Sequence, residues 1–252
     1  MLGVPFMGWQ QLVADLAMEH DGGQLVHREV DISIDRQAGK SSLFMVAIVH
    51  RMLWRPGQWI TYTSASRLAA RRKLLRVWWP IIRASPVGHM FNATRGTGSE
   101  SLECVNDSTL ILLSGDEASG HGDSIDASFL DEAWSLTEAA EQAVKPATAG
   151  TAKSTYWRSK VDAGRTAAEL GVTDGPCFVE WAAPSNLDVT DPATWASFMP
   201  ALGRTIQPST VAADLAAMPL PEWKRACCNL WPDESLEGWK LIGRDVWEAS
   251  RL

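Results

Sequence analysis

Cysteine is scarce in this chain and carries no pattern. Its four cysteines, Cys104, Cys177, Cys227 and Cys228, form no C-x-x-C pair, so zinc-knuckle and thioredoxin-like motifs are excluded and packing thiols are expected. The five histidines, His20, His27, His50, His89 and His121, are scattered without an H-x-x-x-H pair, which argues against a protein zinc site. Basic charge is in deficit: the formal net charge of -7 excludes a uniformly basic nucleic-acid coat, though a local basic groove stays open. No uncharged apolar run reaches about 18 residues, so no transmembrane helix is expected. The start, MLGVPFMGWQQ, has neither a basic n-region nor a small-residue cleavage site, so a soluble, cytoplasmic chain is expected. What the chain does have is apolar content of 46% over 252 residues, enough for one large domain, alone or with a small appendage, and too much for disorder.

The hydrophobic pattern alternates between periods. Residues 9–19 place Trp9, Leu12, Val13, Leu16 and Ala17 at helical spacing, and residues 25–34 alternate Val30, Ile32 and Ile34 with Glu29, Asp31 and Ser33 as a strand does. SSLFMVAIVHRMLW is apolar nearly all round and predicts a buried helix. A short strand, QWITYT, follows, then a basic amphipathic helix within ASRLAARRKLLRVWWPIIRA. Residues 85–103 read as a polar, glycine-rich stretch, STLILLS as a strand, EASGHGDS as a loop, SIDASFLDEAW as a strand entering a helix, and CFVEWAAP as a further strand. Strands alternating with helices predict an α/β fold with a mostly parallel sheet flanked by helices, closed by a small helical C-terminal segment.

The strongest local signal is Asp35-Arg36-Gln37-Ala38-Gly39-Lys40-Ser41-Ser42, between a strand and a buried helix. A phosphate loop needs backbone N–H groups wrapped round an anion at a helix N-terminus. Gly39 would allow close approach, Lys40 would reach the β- and γ-phosphates, and the Ser41 hydroxyl would ligate Mg²⁺. The match to G-x-x-x-x-G-K-[ST] is incomplete, because Ile34 holds the first glycine's place, and a plain loop is the competing reading. The second signal is Asp131-Glu132 at the end of Ala127-Ser128-Phe129-Leu130. There a Walker B strand would deliver one carboxylate to the Mg²⁺ shell and one to polarise the attacking water, whereas an ordinary acidic helix N-terminus is the alternative. Together the two signals favour an NTPase site.

At these residues the chain resembles the ATPase domain of tailed-phage terminase large subunits, the motors that drive double-stranded DNA into proheads. The resemblance runs through Phe6-Met7-Gly8-Trp9-Gln10, REVDISIDRQAGKS, GHGDSIDASFLDEAW, TAGTAKSTYWRSKVDAGR and FVEWAAPSNLDVTDPATWASFMPALG. An R-Q-x-G-K-[ST] loop without the first glycine is the form this family uses. The resemblance implies a P-loop NTPase fold of the RecA-like (ASCE) kind, with 1–205 as the ATPase domain and 206–252 as a helical linker or lid. It further implies that Gln10, with Trp9, contacts adenine and that Arg36, Gln37, Ala38, Gly39, Lys40, Ser41 and Ser42 form the nucleotide loop. Asp131 and Ser41 would hold Mg²⁺, Glu132 and Lys40 would be catalytic, and Thr148 would belong to the coupling motif. The implied partners are ATP, Mg²⁺, double-stranded DNA, a terminase small subunit, a portal protein and further copies in a ring, in the cytoplasm of an infected or lysogenic bacterial host.

Three departures from the family follow. Val144-Lys145-Pro146-Ala147 runs into Thr148 with no apolar stretch, so the strand before the coupling motif is expected to be absent or built differently. The family's C-terminal nuclease is expected to be missing, because the sequence stops at Leu252, and no nuclease activity is expected. An arginine finger is expected but not placed; Arg95 and Arg158 are candidates, and His121 stands where an arginine was sought. Arg67, Arg71, Arg72, Lys73 and Arg76 form a basic helical face that reads as solvated surface or as a phosphate-tracking surface. Among the thirteen tryptophans, Trp54, Trp59, Trp78 and Trp79 sit among apolar neighbours and are expected in the core or at a subunit interface rather than stacked on bases. Two other readings stand beside the motor: another P-loop NTPase such as a helicase-like translocase, and a truncated, non-hydrolysing assembly module.

Overall fold

In β3 (Val30–Ser33) every residue is buried, as in a strand covered on both faces. This strand sits at the centre of a computed structural model that describes residues 2–3, 5–113, 125–132, 145–147, 155–173 and 175–231. On one side β3 pairs in parallel with β10 (Cys177–Glu180), Ile32 opposite Val179; on the other it pairs in parallel with β9 (Lys145–Ala147), Ser33 opposite Ala147. The strand expected to be absent or built differently is therefore present, built from a segment with no apolar run. Parallel pairing is made by backbone groups, so a three-residue segment without an apolar run suffices. Pro146, lacking an N–H, is tolerated because β9 is an edge of this three-stranded group.

β9 lies beside β8 (Ala127–Leu130), the edge of a second, five-stranded group. Its order is β5 (Phe91–Thr94), β6 (Ser101–Cys104), β7 (Thr109–Leu113), β4 (Trp59–Thr63), β8. β4 is parallel to both β7 and β8, whereas β6 runs antiparallel to β7 and β5 antiparallel to β6. The five-stranded group is thus mixed, antiparallel at one end, whereas the three-stranded group that leads into the 34–39 turn is wholly parallel. The polar stretch 85–103 hid β5 and most of β6. Antiparallel strands at a sheet end need few buried side chains, and here Phe91, Leu102 and Cys104 supply them.

Among the described residues, helices cover this sheet. α1 (Gly8–Met18) buries Trp9, Gln10, Val13 and Ala14. α2 (Lys40–Trp54) runs between two apolar clusters of the described residues, giving Leu43 to one and Phe44, Met45, Ile48, Val49 and Met52 to the other. α3 (Arg67–Arg72), begun by the Ser66 hydroxyl accepting from Ala69 N, passes into a π-helical turn, Lys73–Trp78, and then into α4 (Trp79–Ala84). The Trp79 amide donates five residues back, to Leu74 O, and Pro80 has no N–H with which to restore the α register in the next turn. α5 (Thr155–Glu169) packs on β10 at Gly164, where a Cβ would lie 2.2 Å from the Phe178 ring. The described part of the segment expected as a lid carries α6 (Pro208–Ala217) and α7 (Leu220–Cys227). Its Val211, Trp223 and Cys228 are buried in the same cluster as Ile32 and Ile34 of the phosphate-loop strand. Cys104 and Cys228 are buried and Cys177 and Cys227 partly so, all free, as packing thiols should be. Of the tryptophans expected inside, Trp78 and Trp79 are buried, Trp59 is half-buried and Trp54 is at the surface beneath the Arg55 guanidinium. Among the described residues no helix is long and apolar enough to cross a membrane.

Candidate nucleotide site

Between β3 and α2 the chain turns through 34–39, with Ile34, Asp35 and Ala38 buried and Arg36 and Gln37 exposed. Gln37 and Gly39 are left-handed, at φ 60° and 98°. A Cβ on Gly39 would also meet Met7 Cε at 2.9 Å and Gln10 Nε2 at 3.0 Å, so the conformation requires glycine there and the crowding adds to the cost of any other residue. At the place of the missing first glycine, Ile34 is fully buried and belongs to the core. The Lys40 ammonium donates to the carbonyls of Ile34 at 3.0 Å and Asp35 at 2.7 Å. Burial lowers its pKa from the ordinary lysine value, opposed by the charges of Asp35, Glu132 and Asp131. Burial also pushes the Asp35 carboxyl up to about 7, with Lys40 pulling the other way.

The Gln10 side chain joins α1 to this loop. Its amide nitrogen donates to Gly39 O at 2.9 Å and Ser42 Oγ at 3.0 Å, while its oxygen accepts from the Met7 amide at 2.9 Å. Ser42 Oγ in turn donates to Gly39 O at 2.8 Å. The residue expected to contact adenine is thus in contact with the phosphate loop, and Trp9 beside it packs edge-on against Trp181 at 5.6 Å.

Asp131 and Glu132 follow directly on β8. The Asp131 amide donates to Thr63 O at 2.8 Å, fixing the strand end. Its buried carboxylate accepts from Tyr62 OH at 2.9 Å and from the Lys73 ammonium through the same oxygen, Oδ2. Burial and the Asp131 charge drive the Tyr62 hydroxyl well above the ordinary tyrosine range, so it stays a donor. Glu132 is left-handed at φ 60°. Among the described residues four non-glycines have positive φ; Asp107 and Asn229 are types that tolerate it, whereas Gln37 and Glu132 are not, and both stand at this site, where backbone strain tends to collect.

Sequence reasoning missed Tyr62 and the π turn. Trp78 Nε1 donates to Ser41 Oγ at 3.0 Å, so the turn that sends Lys73 to Asp131 sends its last residue to the other expected Mg²⁺ ligand. The only trace in the sequence was Pro80 after a long helical pattern. The basic face is divided by its partners: Arg67 and Arg71 bind the buried Glu100 at 3.3 and 2.8 Å, and Lys73 binds Asp131. Arg72 and Arg76 are exposed and, with Arg71, Lys73 and Arg95, line a cleft of about 940 Å³. Of the arginine-finger candidates, Arg95 borders this cleft, whereas Arg158 pairs with Asp162 at 2.9 Å and lies over the Trp231 ring. Thr148 and His121 lie outside the described residues.

No protein-family model matches the sequence, and no curated protein does. Solved structures do match in fold. The HK97 bacteriophage large terminase superposes with a TM-score of 0.72 at 16% identity, over 90% of this chain and 51% of that one. A large terminase from a thermophilic bacteriophage, in complex with ADP, gives 0.60 at 11% identity, over 90% and 54%. A mutant ATPase domain of the Thermus phage P74-26 large terminase gives 0.58 at 15% identity, over 90% of this chain and 100% of that one. The chain therefore has the P-loop fold of the phage large-terminase ATPase domains, and it spans about half the length of the first two proteins it matches.

Proposed function

We propose that this chain is the ATP-hydrolysing motor domain of a phage terminase large subunit, working in a ring with a terminase small subunit and a portal to package double-stranded DNA. The observation that carries the proposal is that one helical turn reaches both Ser41, beside Lys40, and Asp131, beside Glu132, on a fold shared with large terminases, one of them solved with ADP. Lys40, within electrostatic reach of both carboxylates, would turn from the Ile34 and Asp35 carbonyls to the β- and γ-phosphates and stabilise the charge that develops there. Glu132 would orient the water in line with the γ-phosphate and draw on its proton. The Ser41 hydroxyl and Asp131 carboxylate are hard oxygen donors of the kind Mg²⁺ takes beside nucleotide phosphates, and they fit that ion. When bound, Mg²⁺ neutralises phosphate charge.

The reading as a non-hydrolysing assembly module rested on an absent strand and on a missing nuclease, and β9 removes the first of these two grounds. DNA is proposed as the partner from the neighbours' class, with Arg72, Arg76 and Arg95 as the exposed cations best placed to meet phosphates. Steady-state ATP hydrolysis, with and without linear duplex DNA, beside a Glu132→Gln variant is the test. Turnover that is stimulated by DNA and falls about 10²–10⁴-fold in the variant is expected. Nucleotide binding without any turnover by the intact protein would sink the catalytic assignment.

A further inference from the structure

The π-helical turn Lys73–Trp78 engages both residues expected to ligate Mg²⁺. Its first residue places an ammonium on Asp131 Oδ2, and its last places an indole N–H on Ser41 Oγ at 3.0 Å. These two oxygens come from different elements, the end of β8 and the start of α2, and the turn that joins them belongs to neither. π-helical turns are rare, and they occur disproportionately at functional sites. Asp131 is almost fully buried, so an ion pair with it is shielded from solvent more than a surface pair is. The Lys73 side chain keeps 27% of its surface exposed, so the ammonium can leave towards water without disrupting a packed core. Trp78, by contrast, is 1% exposed and packs on Tyr62 at 4.7 Å between centroids, so its indole is held and only the hydrogen bond is given up.

We infer that Lys73 is the resident cation of this site: it holds Asp131 in place while no divalent ion is bound, and Mg²⁺·nucleotide must displace it. Lys73 is thus a positioning residue that sets the metal dependence of nucleotide binding. The inference rests on the nucleotide reading above. The Asp131 carboxylate that would hold Mg²⁺ already carries the Lys73 ammonium on Oδ2, and two cations on one buried carboxylate repel each other. The two cations therefore compete for one carboxylate. Tyr62 OH, the other donor to that oxygen, is held in β4 and stays to orient the carboxylate whichever cation is present. Release of Lys73 frees the first residue of the turn, and the exposed Arg72 and Arg76 flank or share that turn. Metal binding is thereby linked mechanically to the basic cleft.

The test measures ADP affinity by calorimetry in MgCl₂ and in EDTA for the full chain and for Lys73→Met, Lys73→Arg and Trp78→Phe. The expected result is that the ratio of the two affinities rises about tenfold in Lys73→Met. It should stay near the wild-type ratio in Lys73→Arg, which keeps a competing cation, and rise a few-fold in Trp78→Phe. Hydrogen exchange gives a second readout: amides of 73–78 should exchange faster when Mg²⁺·ADP is added to the wild-type protein. A ratio unchanged or lowered in Lys73→Met, with ADP still bound, overturns the inference and leaves the nucleotide reading standing. So does a Lys73→Met protein that fails to fold while the wild-type 73–78 amides stay equally protected with and without Mg²⁺·ADP. Failure of the folded wild-type chain to bind ADP in either condition overturns both.

Discussion

The phosphate loop and the 67–84 helical run each bring a lysine to the Asp131–Glu132 pair, and the two lysines are held by different means. Lys40 is buried, and its ammonium donates to backbone carbonyls five and six residues before it. Its position is a local product of one strand, one turn and one helix start. Lys73 is partly exposed, and its partner is a side chain 58 residues away, just past the end of β8. Its position depends on the sheet order that puts β8 beside β4 and on a helical register that Pro80 interrupts. The first placement follows from covalent connectivity within one turn, and the second only from the packing of elements far apart in the chain.

Substitutions on the local side should give the largest effects. Lys40→Met should lower ATP turnover by about 10²–10³-fold, the usual cost of removing one preorganised charge donor, in contrast to the gain in Mg²⁺ dependence expected at Lys73. Equal losses of turnover for the two lysines, with no change in metal dependence, would erase the distinction drawn between them. Next is Asp35, whose raised carboxyl makes a clear pH prediction. Between about pH 4 and pH 7 the folded state keeps a proton there that the unfolded state has released. The contribution to stability is therefore present at low pH and lost as pH rises towards 7, by an amount on the order of a few kcal/mol. Chemical denaturation across that range should show the slope, and Asp35→Asn should flatten it; an unchanged slope would mean that another group carries the proton. The smallest of the three is Gly39→Ala, which adds a methyl 2.9 Å from Met7 Cε at a φ of 98°. A loss of about 1–3 kcal/mol in unfolding free energy is expected, because Met7 is flexible enough to give way but the backbone is not.

Much of the phosphate-loop half was legible because its signals are local. The buried helix after Gly39 starts at Lys40 and ends at Trp54, within a residue of where the apolar run placed it. The strand before Asp131 follows the pattern of Ala127 to Leu130, and the free, partly or fully buried cysteines follow from their lack of spacing. β9 was not legible, since Lys145-Pro146-Ala147 has no apolar periodicity and owes its strand geometry to pairing with β3. β5 and most of β6 were hidden for a similar reason: a polar, glycine-rich stretch gives no alternation for a pattern to catch. The basic face of 67–84 was visible as charge, but nothing in the residue order distinguishes Arg71, which serves Glu100, from Lys73, which serves Asp131.

By itself the sequence determined the glycine turn between a strand and a buried helix, the lysine and hydroxyl at its end, the two carboxylates downstream and the α/β alternation that carries them. Those features depend on spacing within one element or one turn, where covalent connectivity fixes the neighbours. The tertiary structure alone decided that Tyr62, Lys73 and Trp78 meet Asp131 and Ser41, and that 206–231 packs into the core of the phosphate-loop strand. Such contacts join residues tens of positions apart, and only the order of strands in the sheet and the register of a helix bring them within hydrogen-bond reach.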